Sequence, residues 1–189
     1  MIRLLLGSLI AAIVLFGFGA AFWTCPIPYA YVEKPSSSNE ALGSALREHL
    51  PNDGIYLVPG LQTDPSVAQD KAHAGPVATI HYRRDGIEPR SMESLGVGFL
   101  HGWVTTFLLG VLLQVARPPR FGQRVTLVTI AGLALTNYII IGNGLYWFEP
   151  WPWLVLNAAY TASAMLVTGL ILGAVIVPAV EEPKDPGQG

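Results

Sequence analysis

Leu95–Ala116 reads LGVGFLHGWVTTFLLGVLLQVA and contains no Asp, Glu, Lys or Arg. A helix crosses the hydrocarbon core of a bilayer, about 30 Å thick, with about 20 apolar residues at about 1.5 Å each. This stretch meets that length, and three others do as well. They are Leu4–Trp23 (LLLGSLIAAIVLFGFGAAFW), Val125–Ile141 (VTLVTIAGLALTNYIII) and Pro152–Val177 (PWLVLNAAYTASAMLVTGLILGAVIV), again without a formal charge. The whole chain agrees: of 189 residues, 51% are hydrophobic and 13% charged, about half the charged share of an ordinary soluble domain.

The expected fold is mainly α: a four-helix transmembrane bundle carrying a small extracytoplasmic α+β cap. The expected division is a first span over 1–23, an outer domain over 24–94, and a second span over 95–116. A loop at 117–124, a third span over 125–142, an aromatic loop at 143–151, a fourth span over 152–178 and a tail at 179–189 complete it. The first span also has features of a secretory signal, with Arg3 before it and Gly19-Ala20-Ala21 near its end. Its apolar core exceeds the usual signal length of about 7–15 residues, so an uncleaved anchor is the reading.

Orientation follows from basic residues in short loops. Arg117, Arg120 and Arg124 fall in the loop between spans two and three with no acid nearby, whereas the next loop, GNGLYWFEPWPW, holds Glu149 and no basic residue. The first loop is therefore expected inside and the aromatic one outside, with both termini cytoplasmic.

In the outer segment, Ser37-Ser38-Asn39-Glu40 has the form of a capping box, with Ser37 as the expected cap. A helix with apolar spacing follows, then strands at Gly54–Val58 and Val77–Arg83. Gln62–Gly75 reads as a loop or weak helix. So few elements bury little apolar surface by themselves.

Two features inside the spans are candidates for function. Ser94, Gly98, Gly102, Thr106 and Gly110 recur every four residues, which suggests a helix face where another backbone can approach. Gly169 and Gly173 form a similar pair in the last span. The second feature is a polar layer: His101, Asn137 and Asn157 come from three spans at similar expected depth. They would serve either as plain interhelical hydrogen bonds or as a ligand or proton site.

Other chemistries find no support in the residues. One cysteine, Cys25, forms neither an internal disulfide nor a CxxC pair. A net charge of −2 gives no basic footprint for nucleic acid. No zinc-protease, Walker, dinucleotide or G-x-S-x-G pattern occurs. Catalytic, cofactor-binding and metal-ligating residues are therefore all expected to be none.

One N-terminal span, an outer segment containing GIYLVPG and GPVATIHY, and three further spans follow one another. In this order the chain resembles an uncharacterised group of small bacterial inner-membrane proteins, and the resemblance implies that location but no activity. The expected role is a non-enzymatic accessory or interaction subunit, packing through small-residue faces against a second copy or another membrane protein. The alternatives are a small transporter or ligand-binding protein using the His101–Asn137–Asn157 layer, and a subunit of a redox or envelope enzyme.

Overall fold

The computed structural model describes residues 2–60, 64–88 and 91–176. The expected end of the fourth span and the 179–189 tail lie outside the described residues. The chain divides into two compact units, Lys34–Arg90 and the remainder.

The larger unit holds four helical segments long and apolar enough to cross a membrane: Ile2–Thr24, Met92–Ala116, Phe121–Tyr146 and Trp151–Val175. They are α1 (Ile2–Thr24), α5 (Met92–Ala116), α6 (Phe121–Leu135) with its continuation, and α8 (Trp151–Val175). A short α2 (Pro26–Val32) follows α1, with proline in its first turn where a missing N–H costs nothing.

Local chemistry sets the helix ends. Helix α5 starts three residues before the apolar run because Ser91 caps it, its Oγ accepting from the Ser94 amide at 3.1 Å. It ends at Arg117, which takes a left-handed conformation with φ 46°. Pro118-Pro119 then forces a break, and α6 begins at Phe121 with the Gln123 side chain accepting from the Arg120 amide at 3.2 Å. Helix α6 runs into a π-helical turn at Thr136–Ile141 and then α7 (Gly142–Tyr146), so the first part of the aromatic loop is helical. The reversal falls at Trp147 and Phe148, where φ is 56° at Phe148.

The helices pack in the order α5–α1–α8–α6, with α1 and α8 central and α5 and α6 at the edges. Leu4, Leu113, Val128, Leu172 and Ile176 form the buried core. They gather where α1 begins, α5 and α8 finish and α6 starts. The opposite end of α1 and α8 is held by rings: Phe18 stacks on Tyr160 at 5.9 Å, and Trp23 meets Tyr160 at 5.1 Å and Trp153 at 6.0 Å.

The smaller unit contains α3 (Asn39–His49), β1 (Gly54–Val58), α4 (Pro65–Ala74) and β2 (Ala78–Tyr82). The strands pair antiparallel, with Tyr56 opposite Ile80 and Gly54 opposite Tyr82. Ser38, one residue after the expected cap, is the N-cap of α3 and accepts from the Ala41 amide at 3.1 Å. Helix α4 forms in the stretch expected as loop or weak helix. Asp64 accepts from the Ser66 amide at 2.9 Å, and Pro65 occupies the first turn. Arg84 ties the unit together: its amide donates to Asp53 at 2.8 Å and its guanidinium to the carbonyls of Arg47 and Leu50 at 3.1 and 3.2 Å. Neither helix nor either strand has a fully buried residue, so the core of this unit is thin.

Candidate functional site

The spans contain few polar side chains, and the structure divides them into a buried group and an exposed group. Ser8, Thr106, Arg124, Thr136 and Thr168 are buried. Ser8 on α1 meets α5: the Trp103 indole donates to Ser8 Oγ at 3.2 Å, and the Thr106 hydroxyl donates to the Ser8 carbonyl at 2.8 Å. Helices α1 and α5 are thus joined by hydrogen bonds in the middle of their contact, each worth about 0.6–2 kcal/mol in lipid. The Thr168 hydroxyl is buried without a partner among the described residues.

Arg124 is the least expected of the buried group. It is 6% exposed in the first turn of α6, not in a loop as the sequence suggested. Its Nε donates to the Gly173 carbonyl at 2.8 Å and its Nη1 to the carbonyls of Pro118 and Pro119 at 3.3 and 2.9 Å. Gly173 lies in the last turn of α8, where carbonyls lack helical partners and the dipole favours a cation. One guanidinium therefore closes the end of α8 and fixes the Pro-Pro turn.

The three polar residues singled out from sequence are placed differently. His101 and Asn137 are exposed on the bundle surface, and Asn157 is half-buried. Asn157 Nδ2 donates to the Trp153 carbonyl of its own helix at 2.8 Å. Among the described residues, no hydrogen bond joins any two of them. His101 lies about 14 Å along α5 from its start, and Asn137 about 14 Å from the end of α7, at about 1.5 Å per residue. Asn157 is only about 9 Å into α8. Asn137 stands on the π-helical turn beside Tyr138, which is 83% exposed.

The small residues also separate. A Cβ on Gly169 would come within 3.1 Å of the Val125 carbonyl, and one on Gly173 within 3.4 Å of Arg124 Cβ. One on Gly110 would meet Leu4 at 2.6 Å and Ile176 at 2.9 Å. Gly98 would make only ordinary contact with Phe16 at 3.9 Å, and Gly102 would meet nothing within 4 Å. Close approaches at Gly7 against Val175, Gly132 against Met165 and Gly144 against Leu154 had no counterpart in the sequence reading. Gly132 is a lone glycine in an apolar stretch, and an isolated glycine tolerated in a helix is the signal that would have found it; Gly144, beside Gly142 and Asn143, carries no such signal.

No group of three His, Cys, Asp or Glu side chains converges among the described residues. At Asp64, hydrogen bonds from the Ser66 side chain and amide hold the carboxyl below its ordinary value. The chain is a multi-pass membrane protein by its four spanning helices. No family description, curated protein or solved structure matches it.

Proposed function

We propose that this chain is a non-enzymatic interaction subunit of a bacterial inner membrane, docking through the outer half of α5 and the π-helical turn after α6. The carrying observation is the exposure of the His101 and Asn137 side chains at hydrocarbon depth, neither side chain having a hydrogen-bond partner among the described residues. A polar group left unpaired in lipid costs several kcal/mol. A second polypeptide covering these faces removes that cost. Gly102 lies beside His101 with open space above it, and Gly98 one turn away makes only an ordinary contact with Phe16, so a partner backbone can come close at Gly102.

Arg117, Arg120 and Arg124 sit at one end of the bundle with no acid between Glu93 and Glu149, which supports a cytoplasmic position for that end and for both termini.

The partner is a second copy of the chain or another membrane protein. The test is the mass of the wild-type complex in mild detergent and in nanodiscs. A defined assembly larger than one chain is expected, and Asn137→Leu or Gly102→Leu should dissociate it without unfolding the chain. A wild-type protein that stays a single chain in both media, and retrieves no membrane protein at fixed stoichiometry, overturns the proposal.

A further inference from the structure

A groove of about 700 Å³ lies along the start of α6. It is lined by Pro118, Pro119 and Arg120 from the turn before the helix and by Gly122, Gln123, Thr126, Leu127 and Ile130 from the helix itself. Residues 123, 126, 127 and 130 follow the i, i+3, i+4, i+7 pattern of a single helix face. The proline part of the lining is held in place for a specific reason: buried Arg124 donates to the carbonyls of both prolines. Prolines also have no N–H, so that part offers no donor.

The dimensions suit a lipid. From Arg120 to Ile130 the helix rises about 15 Å, which is half of a hydrocarbon core of about 30 Å. The groove therefore spans one leaflet, apolar along its length and cationic at its surface end. Arg120 is exposed and its guanidinium makes no polar contact among the described residues.

We infer that this groove is a binding site for an anionic phospholipid, its acyl chain lying along Thr126, Leu127 and Ile130 and its phosphate facing Arg120. Charge complementarity selects the headgroup class, because an anionic headgroup gains about 1 kcal/mol from a basic residue near the surface, a factor of about five in affinity. The site is independent of the docking face proposed above.

The test uses the full chain, delipidated in mild detergent and titrated with dioctanoyl phosphatidylglycerol, with dioctanoyl phosphatidylcholine, and with glycerol phosphate alone. Saturable binding of the anionic lipid is expected, about fivefold tighter than the zwitterionic one. Arg120→Gln should erase that preference. Gly122→Leu, at a lining residue where an added Cβ meets nothing within 4 Å, should block both lipids, with the circular dichroism and thermal unfolding of wild type as the check that the fold is kept. Arg3→Gln, a basic residue at the same end of the bundle, should change nothing. Equal binding of the two lipids, an unchanged preference in Arg120→Gln, or full binding by Gly122→Leu overturns the inference. Glycerol phosphate binding as tightly as the lipid also overturns it, since the site would then be one for a soluble anion.

Discussion

Gly102 and Thr106 are four residues apart on α5, yet their surroundings have little in common. Thr106 is fully buried and bonded to Ser8, and Gly110 beyond it is closed over by Leu4 and Ile176. Gly102 faces open space, and His101 beside it is exposed. The reason lies in helical geometry. Four residues turn a helix by about 400°, so each step of a four-residue stripe rotates about 40° from the last. From Ser94 to Gly110 the stripe swings by about 160°. A single neighbouring helix covers two or three steps of it and leaves the others facing elsewhere. One stripe therefore supplies an internal contact with α1 at its second half and an unoccupied face at its first.

The sharpest way to break this comparison is to load the closed side. Arg124→Met should have the largest effect, because it leaves the buried carbonyl of Gly173 without its donor, at about 1–3 kcal/mol, and also frees the part-buried carbonyls of Pro118 and Pro119. Thermal unfolding of the detergent-solubilised chain reads that loss. Gly110→Leu should come next, costing about 1–3 kcal/mol by overpacking against Leu4 and Ile176. Gly102→Leu, read in a detergent that holds both proteins as single chains, should stay within about 0.5 kcal/mol of wild type; a loss as large as that of Gly110→Leu would show that the two halves of the stripe are not distinct.

Thr106→Val tests the polar link more gently. It should cost about 0.6–2 kcal/mol, and Ser8→Ala, which removes the separate bond from Trp103 and keeps the carbonyl that Thr106 uses, should add to it nearly in full. The smallest effect belongs to the Lys34–Arg90 unit. The carboxyl of Asp64 is held below its ordinary value by Ser66, so its contribution is present above the unfolded carboxylate range and is lost as pH falls through the lower folded value. Hydrogen exchange of the α4 amides should rise there in wild type but not in Asp64→Asn, which caps without titrating.

The spans were legible because length and hydropathy alone define them. The strands were legible too, Gly54–Val58 to the residue and the second within one residue at either end. Helix α4 was obscured because its sequence is small and polar, and its start depends on the Asp64-Pro65 pair more than on apolar spacing. The polar sites were least legible. Depth along a helix can be counted from sequence, but the direction of a side chain depends on which neighbour the helix chooses. His101 lies about 140° around α5 from Thr106, so once Thr106 faces α1, His101 points away. Arg124 looked like a loop charge because only the tertiary fold brings the Gly173 carbonyl to it.

The thin core of the Lys34–Arg90 unit has a thermodynamic consequence. Its two ends join α1, through α2, and α5, and these helices stay packed against each other whether or not the unit is folded. The bundle thus acts on the unfolded segment as a cross-link does, closing a loop whose freedom it reduces in advance. For a loop of this length the chain-entropy relation gives on the order of 4 kcal/mol. Strands and helices too sparse to hold together as a free peptide can therefore persist here, because the membrane helices restrict what the chain would gain by letting go.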